Sequence, residues 1–232
     1  MAMNLLFAIN VNSKRNFRKI KKELYMTEYE RMHKGLIYDA ASPEIEKAEK
    51  ESHRLCEKYN KTSVLNDKKR EKLLKAMFPN DDFGEYRIMV APIFLDNCKE
   101  MKIGKNFYSN FHLAFITGGT VEIGDNVFIG PYCTLAAGCH SLVAEERRMK
   151  KDEDGVLHDY EYGKSIKIES DVWIAANVTV CGGVTIGNGS VIGAGSVVTR
   201  DIPGGVFAAG NPCRVIREIT DEDSIYLKAK RD

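Results

Sequence analysis

The feature that most constrains this chain is a period of six. From Ile168 to Pro203 the sequence divides without a gap into IESDVW, IAANVT, VCGGVT, IGNGSV, IGAGSV and VTRDIP. The first position is always Ile or Val, and the fifth is Val, Ser or Ile. IGDNVF, IGPYCT and LAAGCH repeat the pattern from Ile123 to His140, and IGKNFY begins it at Ile103. Helices repeat near 3.6 and simple strands at 2, so neither accounts for it. A parallel β-helix does: each hexad forms one flat face and three hexads close one coil. The first-position aliphatics fill a narrow prism, and the smaller fifth-position residues fill what remains. The Gly, Asn and Asp between them supply left-handed turns or side chain-to-backbone bonds. Glycine placement agrees, since 17 of the 19 glycines follow residue 100.

The register breaks twice. Val121 to Ile123 is a slip of two residues, and after His140 the pattern is lost until Ile168. Residues 141–165 are polar, charged and out of period. A solenoid tolerates such a stretch as a loop thrown out at a corner, and a loop this long usually covers something.

The preceding segment reads differently. Residues 27–80 are expected to be helical. Ser42-Pro43-Glu44 is a helix start, with Ser as N-cap and Pro at the first helical position. Ile45, Ala48, Leu55, Cys56 and Tyr59 then share one face. Asn66-Asp67 opens a second helix with Leu73, Leu74, Met77 and Phe78 on one side, stopped by Pro79. This unit is too small to stand alone and must pack on something. The expected organisation is an extension or tag at 1–25, a helical domain at 26–82, a β-helix domain at 83–219 and a closing segment at 220–232. The fold class is mainly β.

Charge and cysteine content set the class of partner. Thirty-four Lys and Arg against thirty-three Asp and Glu leave a formal charge of +1, which argues against nucleic acid or a membrane as bulk-charge partners. The six cysteines form no CxxC pair and read as small buried residues of a reducing cytosol. The N-terminus lacks the charge-first order of a signal peptide, and no apolar run approaches ~18 residues. A cytoplasmic protein is expected.

Several separated segments carry a family resemblance. KGLIYDA (34–40) and KYNKTS (58–63) lie in the helical unit. IGKNFYSNF (103–111), AAGCH (136–140), EYGKSIKI (161–168), VWIAANV (172–178), VIGAGSVVTRDIP (191–203) and AAGNPCRVIREI (208–219) follow in order. Over residues 26–220 the chain resembles the maltose/galactoside O-acetyltransferases of the left-handed β-helix hexapeptide class. The resemblance implies left-handed coiling, a homotrimer with sites between neighbouring prisms, and acetyl transfer from acetyl-CoA to a hydroxyl of a sugar-like acceptor.

It also implies roles. His140 is the expected general base, since a neutral imidazole suits proton removal near pH 7. Asn110, Asp39, Asp96 and Tyr108 match acceptor-side positions. Glu161 is expected to accept from the His140 imidazole or to contact the sugar; an exposed loop carboxylate is the plainer alternative. Trp173 matches an aromatic beside the thioester, and a backbone N–H near Ala176 the oxyanion donor. Ala194, Thr199, Arg200, Arg214 and Arg217 match coenzyme-contact positions, arginine being suited to phosphates. Two departures touch the acceptor side. Gly118 stands near where the family often has Asp, and the loop after His140 is longer, through KKDEDGVLHD.

Other readings stay open: a serine or antibiotic acceptor, a non-catalytic trimeric scaffold, or a zinc enzyme on the same fold. The last needs three or four close ligands. Only His112 and His140 fall in the repeats, so no metal is expected.

Overall fold

The computed structural model describes residues 26–228. The expected extension at 1–25 and the last four residues of the closing segment lie outside the described residues. The repeats form a three-faced prism of stacked parallel strands. Face 1 stacks Arg87–Met89, Phe107–Ser109, Phe128–Ile129, Trp173–Ile174, Val191–Ile192 and Val206–Ala209. Face 2 stacks Ile93–Leu95, Leu113–Ile116, Thr134–Ala136, Thr179–Cys181 and Val197–Val198. Face 3 stacks Met101–Ile103, Val121–Ile123, Ile166–Ile168 and Thr185–Ile186, extended by a bridge from Ile186 to Ile202.

First-position residues such as Ile129, Leu135, Ile168, Ile174 and Val180 are buried in the prism, as are Val127, Cys133, Val172 and Val178 at the fifth. The fifth-position serines are buried too, and each hydroxyl serves a corner. Ser190 Oγ donates to the Pro203 carbonyl at 2.6 Å, and Ser196 Oγ to that of Gly193 at 2.5 Å. A buried hydroxyl is tolerated because its hydrogen bond is made.

The corners show why turn residues recur. Between faces 3 and 1, Asn106, Asn126 and Asp171 all have φ near +60°. Their side chains form a ladder up the corner: Asn106 Nδ2 donates to Asn126 Oδ1 at 3.0 Å, and Asn126 Nδ2 to Asp171 Oδ1 at 2.9 Å. Between faces 1 and 2, His112 and Tyr132 also take positive φ, and their rings stack at 4.6 Å. Both interruptions of the hexad register fall on the third corner, between faces 2 and 3.

Three helices precede the prism: α1 (Glu28–His33), α2 (Pro43–Asn60) and α3 (Asp67–Met77). Pro43 opens α2, but the Ser42 hydroxyl makes no capping bond. Asn66 caps α3 by accepting from Lys69 N. Cys56, Tyr59, Leu74, Met77 and Phe78 join one core with Met89 and Ile93 of the first coil. The helices therefore close one end of the prism, and Tyr59 Oη donates to the Met89 carbonyl at 2.5 Å. At the other end Arg214–Glu218 turns back antiparallel on Val206–Ala209, so the last parallel edge is paired. The six cysteines are free and four are buried. Among the described residues no helix is long and apolar enough to cross a membrane.

Candidate active site

The 141–165 interruption is partly ordered as strand. Lys150–Lys151 pairs with Leu157–His158 as a hairpin. Tyr160–Gly163 then returns between two other strands, pairing with Tyr38–Asp39 on one side and Gly138–Cys139 on the other. This small antiparallel sheet ties the helical unit to the corner between faces 2 and 3, with His140 at its edge.

Three glycines make that approach possible. A Cβ on Gly118 would lie 2.2 Å from Gly138 Cα, one on Gly138 2.2 Å from the Thr117 carbonyl, and one on Gly163 1.7 Å from the Gly118 carbonyl. Gly118 also has φ +152°, which L side chains rarely adopt. Its glycine therefore has a backbone-packing reason, beside the loss of an acceptor contact suggested by sequence.

His140 is about half exposed, and its Nε2 lies 3.5 Å from Glu161 Oε1. The other Glu161 oxygen accepts from Tyr38 Oη at 3.1 Å. Burial raises the Glu161 carboxyl above its usual range, against the lowering effects of the Tyr38 hydrogen bond and the His140 charge. Burial and the neighbouring carboxylate raise the Tyr38 phenol, which stays a donor at neutral pH. A carboxylate at one ring nitrogen orients an imidazole and leaves the opposite nitrogen as base.

Further carboxylates gather here. Atoms of His140, Asp159 and Glu161 able to bind a cation all lie within 4.8 Å of one another. This is one histidine with two acids, not a three-histidine zinc site. Asp39 faces inward on the insertion. Its Oδ1 accepts from Asp159 N at 2.9 Å and Ala41 N at 3.1 Å, and its Oδ2 lies 2.7 Å from His158 Nδ1. Hydrogen bonds to the carboxylates of Asp39 and, at 3.3 Å from Nε2, Asp152 raise the His158 imidazole above its usual value. Asp96, after the first face-2 strand, accepts from Thr117 N and lies 3.2 Å from His53 Nε2. Glu49 on α2 is half-buried beside it. Desolvation first, then the charge of Asp96, pushes the Glu49 carboxyl up to about 7.

The corner thus collects His140, Glu161, Asp39 and Asp96 of the expected residues. It also collects Glu49, His53, His158, Asp159 and Tyr38, which the sequence reading did not assign. Glu49 and His53 carry a legible signal, being four apart beside the apolar stripe of α2. The others depend on where a long insertion returns, which no local pattern encodes.

Thr199 and Arg200 lie exposed on the same corner, two coils further along. The remaining expected residues are elsewhere. Asn110, Ala176 and Ala194 sit on the corner between faces 1 and 2; the Asn110 Oδ1 accepts from Phe111 N, and the Ala176 carbonyl accepts from Gly195 N. Tyr108 and Trp173 point outward from face 1, where Tyr108 packs on Phe128 at 5.8 Å and Trp173 is 53% exposed. Arg214 and Arg217 lie on the closing strand. Arg214 donates to the Cys213 carbonyl, and Arg217 forms a two-point pair with Asp223 at 2.7 Å. Within one chain, face 2 separates Asn110 and Trp173 from His140.

Comparison with known proteins decides the family. The maltose acetyltransferase hexapeptide capping motif matches residues 31–80, and the bacterial transferase hexapeptide model, six repeats, matches 165–200. A galactoside O-acetyltransferase of Escherichia coli K12 is 39% identical over 172 residues, covering 74% of this chain and 79% of its own. The chain belongs to the maltose/galactoside O-acetyltransferase family. This acetyltransferase is similar in structure to a maltose O-acetyltransferase from Clostridium difficile 630, with TM-score 0.76, 36% identity, and coverage of 84% and 99% of the two chains. It is equally similar to a galactoside acetyltransferase solved in complex with coenzyme A, with TM-score 0.76, 39% identity, and coverage of 85% and 94%. The acetyltransferase is an acetyl-CoA-dependent acyltransferase on a parallel β-helix.

Proposed function

We propose that the protein transfers the acetyl group of acetyl-CoA to a hydroxyl of a sugar-like acceptor, with His140 as general base. The observation that carries this is the chain Tyr38–Glu161–His140, in which a largely buried carboxylate lies 3.5 Å from a half-exposed imidazole. The imidazole takes the acceptor hydroxyl proton as the oxygen attacks the thioester carbonyl. The same nitrogen then returns that proton to the departing thiolate. Polar groups around the corner suit a polyhydroxy acceptor.

The active unit in this reading is a homotrimer. Face 1 presents an outward row of Ile88, Tyr108, Phe128, Trp173, Val191 and Phe207, in register across the coils. A second copy set against this face brings its His140 corner toward Asn110, Ala176 and Trp173. The coenzyme then lies along the coil edges. Thr199 and Arg200 are two coils from His140, about 10 Å at the strand-stacking distance, and Arg214 and Arg217 lie beyond. Arginine at that end suits the coenzyme phosphates.

The test is thiol release from acetyl-CoA across glucosides, maltose, galactosides, serine and aminoglycosides. His140→Ala should lower kcat by ~10²–10⁴-fold. Absence of stimulation by every hydroxyl acceptor, or full turnover by His140→Ala, would refute the proposal.

A further inference from the structure

The insertion after His140 brings a further carboxylate, Asp159, to the corner that holds Asp39, His140 and Glu161. Asp39 has its oxygens directed to Asp159 N, Ala41 N and His158 Nδ1. His158 is itself held from outside: its Nε2 lies 3.3 Å from Asp152 Oδ2, and its ring stacks on Tyr160 at 5.7 Å. Asp152 fixes the hairpin turn by accepting from Val156 N and Asp154 N. Asp39 is thus a structural anchor for the hairpin.

Asp159 is in the opposite condition. Its backbone is pinned on both sides, with N–H to Asp39 Oδ1 and carbonyl to Ala40 N at 2.8 Å. Its carboxylate oxygen Oδ1 is buried and makes no hydrogen bond among the described residues. Buried carboxylate oxygens left without a donor are costly, so this atom is open to a donor. The carboxylate lies within 4.8 Å of the His140 and Glu161 atoms. Both Glu161 oxygens already face other groups, Tyr38 Oη and His140 Nε2. Asp159 is the acid of this trio with an open acceptor.

We infer that Asp159 binds the acceptor, taking a hydrogen bond from a hydroxyl adjacent to the one that His140 deprotonates. The inference rests on the acetyl-transfer reading above. The substrate class it implies is a vicinal diol or polyol carrying no negative charge near the acetylated position. Asp159, Glu161 and Asp96 gather acidic groups at the His140 corner, which disfavours a phosphorylated or carboxylated acceptor. The His158–Asp39 pair positions the Asp159 backbone.

The experiment is a double cycle between protein and acceptor. Wild type and Asp159→Asn are assayed with a stimulating acceptor and with its deoxy analogue lacking the neighbouring hydroxyl. Asp159→Asn should raise the acceptor KM by about tenfold or more, with the acetyl-CoA KM unchanged and the melting temperature not lowered. The deoxy analogue should cost wild type a similar factor and cost the variant little more, because the two changes remove one contact. Wild-type turnover with an unchanged acceptor KM in Asp159→Asn, or losses that multiply in full, would overturn the inference alone. No acceptor-stimulated turnover by wild type would overturn the acetyl-transfer reading beneath it. Turnover abolished by EDTA and restored by zinc would make the trio metal ligands and overturn the inference as well.

Discussion

Gly118→Ala is the sharpest test of how the corner is built. The new methyl carbon would sit 2.2 Å from Gly138 Cα and 2.7 Å from Gly138 N. Carbon atoms in contact need about 3.5 Å, so the Gly138 backbone has to retreat by about 1.3 Å. Overpacking of this kind costs ~1–3 kcal/mol. Holding a side chain at φ +152° adds ~1–3 kcal/mol more. A total of about 2–6 kcal/mol lowers the melting temperature of a chain this size by roughly 5–20 °C. Gly138 lies two residues before His140, and a misplacement near 1 Å in a catalytic group is worth about 10²-fold in rate. Differential scanning fluorimetry and kcat/KM for thioester cleavage read the two effects. Gly155→Ala is the control: it has φ +81° but open space around its Cβ, so it should cost only ~1–2 kcal/mol. If Gly118→Ala melts with the control and keeps full activity, the close packing of Gly118, Gly138 and Gly163 does not hold the site.

Two other outcomes follow from the carboxylates. Glu161→Gln should lower kcat by about 10–100-fold, less than removal of the base itself at ~10²–10⁴-fold. Because burial raises the Glu161 carboxyl, its pairing with His140 is lost at a higher pH than for an ordinary Glu. The acid limb of the wild-type pH–rate profile should therefore change shape in the variant, and an unchanged limb counts against the Glu161–His140 pair. Glu49 has a folded value of about 7 against 4.5 for the free group. A raised carboxyl favours folding only while protonated, so its contribution is full below pH 4.5 and is lost as pH rises toward 7. Glu49→Gln should thus stabilise more at pH 8 than at pH 5, by about 1 kcal/mol after discounting for its half-exposed setting. Equal melting shifts at both pH values would contradict this.

Legibility from sequence followed the range of the interactions. The hexads could be read because each residue's fate depends on a local rule: Ile174 and Val178 are buried whatever lies elsewhere, and Asn126 turns the corner by its own backbone. The helix starts at Pro43 and Asp67 were legible for the same reason. His140 and Glu161 could be named from motif resemblance, and their proximity emerges from the return of Tyr160–Gly163. The anchoring of Asp39 by His158 could not be read. It joins residues 119 apart through an insertion with no period. The steric role of Gly118 was equally hidden, because its neighbours Gly138 and Gly163 come from two later segments.

Both breaks in the hexad register fall on one edge of the prism, and this has an evolutionary consequence. Each coil rests only on the coils above and below it, so length added at that edge leaves the other two edges untouched. Lengthening a surface loop is cheap, with each doubling costing only ~0.6 kcal/mol. The repeats and the insertion can therefore diverge at separate rates. A lineage can trade one hairpin for another without rebuilding the stacked coils, and a protein engineer can do the same between residues 141 and 159.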